Sequence, residues 1–224
     1  MKKNILVVVA HPDDEILGAG GTLMHHIETG DDVYCLILGE GQMSRDGKSA
    51  DDVTALRADS IAVAKMIGFK QIFFSNFPDN EFDSVSLLKI TKEIEKYFLE
   101  IKPQIVYTHH EYDLNVDHRL TFQAVLTASR PCTNFYPSEI LTFESLSSTE
   151  WQNKSHKAFS SNIYHDISPY LDKKIECLKL YKGEIREYPH PRSEEGIKIL
   201  AQYRGLESGL KYAEAFCLIR RVDK

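Results

Sequence analysis

Two short stretches of the chain concentrate the side chains that bind cations and move protons. The first, His-Pro-Asp-Asp-Glu at 11–15, sets one imidazole and three carboxylates (His11, Asp13, Asp14, Glu15) side by side, interrupted only by Pro12. The second, at 109–119, reads His-His-Glu-Tyr-Asp-Leu-Asn-Val-Asp-His-Arg. Carboxylates this close repel one another unless a cation, a proton or a helix amino terminus compensates. A divalent ion would do so. His11, Asp14 and His118 together make the two-histidine, one-carboxylate set that holds catalytic zinc with a water in an open position. Zinc fits that set best, and ferrous iron and other divalent ions also accept it. Asp13 then stands beside the ion, placed to take a proton from its bound water. The plainer alternative is that Asp13 and Asp14 cap a helix while His11 makes a local hydrogen bond.

Such residues act together only if the fold brings them together, and the flanking pattern predicts how. Ile5–Ala10 is an unbroken apolar run, as expected of a strand buried on both faces. Pro12 favours extended geometry at His11, which sets the imidazole at the strand's end, where open α/β sheets bind ligands. Further strands are expected at 32–38, 71–75, 105–108, 139–143 and 215–220. Helices are expected at 16–29, 52–68, 84–102, 120–128, 170–182 and 194–208. Asp117 is the expected cap of the helix that carries His118 in its first turn. The alternation predicts an α/β fold: a Rossmann-like, doubly wound, mostly parallel sheet in a single domain over 1–224.

Gly18-Ala-Gly-Gly lets a helix start press close to the strand, but it lacks the Gly-x-Gly-x-x-Gly of a dinucleotide site, which argues against a nucleotide-dependent enzyme. The polar loop at 39–51 is a candidate lid. Asp79 and Asn80 either bind hydroxyls or form a turn. Trp151 lies in a polar stretch, 145–162, and His190 and Arg192 sit on a proline-stiffened turn.

With 224 residues, 42% of them hydrophobic, the chain suits one sizeable domain. A net charge of −6 and a pI near 5.9 provide no basic stripe for nucleic acid or anionic lipid. No signal peptide or membrane span is read, and the four dispersed cysteines suit buried thiols of a cytoplasmic protein. A homo-oligomer is left open.

Ala10-His-Pro-Asp-Asp-Glu after an amino-terminal strand, with Asp117-His118 after a later one, resembles the LmbE-like or PIG-L family of zinc-dependent deacetylases, and the resemblance extends over most of the chain. It implies a small-molecule substrate, an N-acetylated amino sugar or sugar conjugate, with His11, Asp14 and His118 as metal ligands and Asp13 as general base. Arg57 is similar to a family arginine that contacts substrate. The commonest second motif of the family is His-Pro-Asp-His, whereas this chain has Asn115-Val116-Asp117-His118, which resembles a branch with Asp-Leu-Asn-x-Asp-His. The first histidine of the common form steadies the oxyanion or protonates the leaving amine. Asn115 can donate a hydrogen bond there but no proton. His109, His110 and His190 are the candidates to supply one, and Asp117 is expected to orient a neighbouring imidazole. The alternative is a metal- or sugar-binding protein that has lost turnover.

Overall fold

The structure is a computed structural model and describes residues 2–41, 49–155 and 157–223. Part of the candidate lid at 39–51 therefore lies outside the described residues. One seven-stranded sheet organises the chain. It comprises β1 (Asn4–Val9), β2 (Asp32–Gly39), β3 (Gln71–Phe77), β4 (Ile105–His109), β5 (Glu139–Phe143), β6 (Ile163–Asp166) and β7 (Ala213–Arg221). The order across the sheet is β3-β2-β1-β4-β5-β7-β6. The first five strands run parallel, and β7 is antiparallel to both β5 and β6. Six helices accompany it: α1 (Asp14–Glu28), α2 (Ala50–Ile67), α3 (Leu87–Ile101), α4 (Val116–Ala128), α5 (Leu171–Leu180) and α6 (Glu194–Ser208).

The apolar run of β1 is buried on both faces because its side chains alternate between two cores. Ile5, Val7 and Val9 pack with Ala19 and Leu23 of α1, while Leu6, Val8 and Ala10 pack with α3 and α4. A third cluster joins α1, α2, α5 and α6. The mostly parallel α/β fold expected from sequence is thus present.

Strand order runs outward from β1 in two directions, to β2 and β3 on one side and to β4 and β5 on the other. The loops after β1 and β4 therefore diverge and leave a crevice between them, the place where such sheets hold ligands. His11 follows β1, and the second polar cluster begins at the last residue of β4.

Three local expectations need correction. The cap of α4 is Asn115, whose side chain accepts from the Asp117 amide at 2.8 Å, rather than Asp117 itself. Strand β6 escapes the sequence pattern because Ile-Tyr-His-Asp is short and mixed in polarity, which an edge strand paired on one side tolerates. All four cysteines are free, yet only Cys35 and Cys177 are buried, and Cys132 is exposed. No helix among the described residues is long and apolar enough to cross a membrane.

Candidate active site

Helix α1 starts on a backbone that few residues adopt. Asp13, the residue before its first turn, has φ 95°, a left-handed conformation that costs a non-glycine residue about 1–2 kcal/mol. Its amide donates to Glu15 Oε2 at 3.1 Å, and Glu15 is in turn held by the Tyr181 hydroxyl, so two buried neighbours fix the turn. Burial pushes the Glu15 carboxyl up to about 7, against the pull of that hydrogen bond. The Asp13 side chain makes no capping bond to the helix. It turns instead into the crevice, which removes the plain capping reading for this residue.

Around it, His11, Asp14 and His118 converge. Candidate ligand atoms of these three lie within 4.8 Å of one another. Asp14 Oδ2 is 3.3 Å from His118 Nε2 and 3.5 Å from His11 Nδ1, while Asp14 Oδ1 is buried with no hydrogen-bond partner among the described residues. An ionised oxygen buried and unpaired is costly, and a cation is the partner that its chemistry requires. His11 also converges with Asp79 and Asp117, their candidate ligand atoms again within 4.8 Å of one another. Asp117 is less available there, because its oxygens already accept the amides of Asn80 (2.7 Å) and Phe82 (3.0 Å). Asp117 Oδ2 also lies 2.9 Å from His11 Nε2, which orients that ring and leaves Nδ1 facing Asp14. The donor set of His11, Asp14 and His118 fits a divalent ion.

Electrostatics agree with that fit. Burial works against protonating His11, but hydrogen bonds to Asp117 and Asp14 outweigh it and raise the imidazole to about 10. His118 is raised to about 9, since the charges of Asp14 and Asp113 overcome its burial. Asp14 is held well below the carboxylate range, despite its own burial, by the His118 charge and by hydrogen bonds with His11 and His118. These carboxylates favour positive charge at this point of the fold.

His118 is steadied from behind. Its Nδ1 is 3.1 Å from Asp113 Oδ1, and Asp113 accepts hydrogen bonds from the Ser148 and Thr149 hydroxyls. The His109 ring stacks on His118 with centroids 3.8 Å apart. His109 Nε2 accepts the Ala10 amide at 2.9 Å, tying the end of β1 to the end of β4. Burial, with the His118 charge beside it, lowers His109 to about 3, so it stays neutral.

The crevice itself is a cavity of about 120 Å³ bordered by His11, Asp13, Asp79, Asn80, Asn115, His118, Ser147, Ser148, Glu184 and Arg192, with Pro12, Gly41 and Leu56. Asp13 is 2% exposed, and its Oδ2 accepts from Arg192 Nη1 at 2.7 Å. Burial pushes the Asp13 carboxyl well up, and Arg192 pulls against it. The same guanidinium bonds Glu184 (3.0 Å) and Ser147 Oγ (2.7 Å). Asn115 donates from Nδ2 to Asn80 Oδ1 at 2.9 Å.

Several residues expected to meet substrate are placed elsewhere. Arg57 turns onto β3, donating to Ser75 O (3.0 Å) and Asn76 Oδ1 (2.5 Å) over the Phe74 ring, because a guanidinium beside a strand end finds acceptors there. His109 is wholly buried behind His118, and His110 is buried edge-on against Phe159. His190 accepts the Arg192 amide on Nδ1 at 3.1 Å and packs edge-on to Trp151. None of these four borders the cavity. Asp79, Asn80 and Arg192 do. Sequence reasoning missed Ser147, Ser148 and Glu184, which belong to no chemical cluster along the chain. Asp113 lay inside the second cluster, and its place after two histidines was the available signal.

Comparison with known proteins gives this geometry a context. Diacetylchitobiose deacetylase of Thermococcus kodakarensis is 29% identical to the chain over 228 residues, covering 95% of it and 81% of the relative. Among solved structures, N,N'-diacetylchitobiose deacetylase from Pyrococcus horikoshii superposes with a TM-score of 0.78 at 21% identity, covering 97% of this chain and 84% of that one. GalB, the 4-carboxy-2-hydroxymuconate hydratase from Pseudomonas putida KT2440, matches with the same TM-score of 0.78 and 21% identity, covering 100% and 99%. One backbone thus carries a deacetylase and a hydratase, and the fold by itself does not name the reaction. The sequence is more specific: the model of PIG-L, GlcNAc-PI de-N-acetylase, matches residues 6–129, more than half of the length and all of both polar clusters, and the chain belongs to that family.

Proposed function

We propose that the protein is a metal-dependent hydrolase that removes the acetyl group from an N-acetylated amino sugar or sugar conjugate. The observation that carries this reading is the buried Asp14 carboxylate, whose Oδ2 lies near His11 Nδ1 and His118 Nε2 while its Oδ1 has no hydrogen-bond partner among the described residues, with the carboxylate of Asp13, which makes no cap to the helix, bordering the same cavity. His11, Asp14 and His118 would hold the ion, zinc by preference. When bound, such an ion polarises a carbonyl oxygen and brings the pKa of its water to about 7.

The chain's own groups do the rest. Asp13 accepts the proton of the attacking water on its carboxylate, whose direction Arg192 sets. Asn115 spends its Oδ1 on the Asp117 amide and one Nδ2 hydrogen on Asn80, which leaves its other Nδ2 hydrogen for the developing oxyanion. Asn115 carries no transferable proton, and His109, His110 and His190 stand outside the cavity. Asp13 is therefore the group that returns the proton to the departing nitrogen, and acetate and a free amine leave one for one.

The test pairs metal analysis with an assay of amine and acetate release from N-acetylated sugars. Asp14→Ala is expected to lose both metal and turnover. Asp13→Asn is expected to keep the metal and lose turnover by roughly 10²- to 10⁴-fold. A chelator should abolish turnover and zinc restore it. Turnover by Asp13→Asn equal to that of the unaltered chain, or a metal-free protein of full activity, would overturn the proposal. The rival reading of a non-catalytic binding protein rests on Asn115 alone, and turnover that Asp13→Asn abolishes rejects it.

A further inference from the structure

Outside the crevice, a buried ion pair is set into the helix that starts at Asp13 and Asp14. Lys174 of α5 and Glu214 of β7 are each 5% exposed, and Lys174 Nζ lies 2.7 Å from Glu214 Oε1. Both ends of the pair reach the backbone of α1. Glu214 Oε1 accepts the Gly21 amide at 2.9 Å and its Oε2 accepts the Thr22 amide at 2.8 Å, while Lys174 Nζ donates to the Leu17 carbonyl at 2.9 Å. In a regular α-helix the Gly21 amide serves the Leu17 carbonyl and the Thr22 amide serves that of Gly18. Here a carboxylate and an ammonium stand at that step of the ladder.

The glycines of α1 admit the pair. A Cβ on Gly21 would lie 2.5 Å from Ile167 Cγ2 and 3.4 Å from Glu214 Oε1, and one on Gly20 would meet Lys174 Cγ at 3.5 Å. Gly20-Gly21, which fits no dinucleotide site, is thus the bare backbone against which β7 and α5 close. Leu17, one turn before it, donates its amide to the Asp13 carbonyl at 2.9 Å. Through that one residue the pair is linked to the turn in which Asp13 holds φ 95° and from which Asp14 reaches His118.

Stability alone does not call for this arrangement. The cost of burying two charges largely offsets their attraction, and apolar side chains of similar volume often serve a fold as well. Hydrocarbon, however, cannot hold three backbone groups of α1 at fixed points. Neither side chain borders the crevice, so an effect on the reaction must pass through the helix. We propose that Lys174 and Glu214 are positioning residues that fix the height of the first turn of α1 and so set Asp13 and Asp14 in place against His118. The inference rests on the metal-dependent deacetylase reading of the crevice and adds to it two residues outside the cavity.

The test uses the double variant Lys174→Met/Glu214→Gln, which leaves no lone buried charge, and Lys174→Arg, which keeps a cation for the Leu17 carbonyl. Kinetics with N-acetylated sugars and zinc titration of the metal-free protein are run at a temperature where melts show each variant folded. The double variant is expected to lower kcat about tenfold with KM within about twofold, and to raise the Kd for zinc about tenfold, while Lys174→Arg stays within about threefold in each. Should the double variant not fold, Glu214→Gln alone carries the comparison, since its remaining oxygen still accepts one of the two amides. A lowered Tm with kcat and zinc Kd of the folded protein unchanged would make the pair structural only and overturn the proposal. If the unaltered chain deacetylates no N-acetylated sugar and the zinc Kd still shifts, the positioning role stands and the deacetylase reading falls. If the unaltered chain does turn over and the double variant matches it in kcat and zinc Kd, the deacetylase reading stands and the positioning role falls.

Discussion

Arg192 Nη1 donates to Asp13 Oδ2 across 2.7 Å, although 179 positions separate the two residues. The same Nη1 also donates to Glu184, and Nε donates to Ser147 Oγ, a residue itself in a left-handed backbone conformation at φ 64°. A guanidinium gripped in this way fixes which oxygen of Asp13 faces the cavity. Arg192→Gln should lower kcat by roughly 10- to 100-fold with KM little changed, the size of loss seen when the partner that orients a catalytic group is removed. Metal content should stay at the unaltered level. Steady-state kinetics with metal analysis checks this, and a raised KM with kcat intact would make Arg192 a substrate contact instead.

Arg57 offers the opposite case. Its hydrogen bonds to Ser75 O and Asn76 Oδ1 tie α2 to β3, so its loss should weaken the fold more than the reaction. Arg57→Ala is expected to cost about 1–2 kcal/mol and to lower Tm by about 3–6 °C, with kcat/KM of the remaining folded protein preserved. Thermal melts set beside kinetics at low temperature decide it. A large rise in KM without a shift in Tm would restore the substrate role expected from the family resemblance.

Gly18 connects packing to the site. A Cβ built there would lie 2.1 Å from Phe143 Cδ2, far inside contact distance. The Phe143 ring is edge-on to His109 at 5.1 Å, and His109 stacks on His118. Gly18→Ala should destabilise the protein by about 1–3 kcal/mol through overpacking and, by displacing that stack, weaken metal retention as well. Urea denaturation and metal titration measure the two effects, and normal metal affinity in a destabilised variant would break the link.

His165 on the edge strand gives a pH dependence apart from the metal site. Burial, with the charges of His26 and His25 nearby, lowers it to about 4 in spite of Glu214. The folded protein thus keeps this ring neutral, while the unfolded chain binds a proton near pH 6.5. Stability contributed here is present above 6.5 and is lost as pH falls from about 6.5 toward 4. His165→Gln should flatten that part of the stability curve by about 2 kcal/mol at pH 5, relative to the unaltered chain. Denaturant titrations at pH 7 and pH 5 test the difference, and parallel curves would refute it.

The convergence of the first cluster was readable in the sequence because that cluster is contiguous, so a strand end and a helix start alone fix where His11, Asp13 and Asp14 stand. His118 was readable because its own cluster follows another strand. What could not be read was direction across space. His109 carries the right chemistry, but its ring lies buried behind His118, where it serves as a stacked, neutral tie between β1 and β4. Ser147, Ser148 and Glu184 reach the crevice from distant parts of the chain, and nothing local distinguishes them from surface residues, whereas the proline-stiffened turn did mark Arg192. Strand β6 was missed for a related reason: at the edge of the sheet, paired with β7 on one side among the described residues, it needs no continuous apolar run.

The twisted backbone at Asp13 bears on what kind of protein this is. Glycine would relieve the conformation at φ 95°, so an Asp13→Gly chain should unfold at a higher temperature than Asp13→Ala while neither turns over substrate. An acid kept where glycine would sit more comfortably is one that its Arg192 partner and the proposed proton-carrying role would together account for.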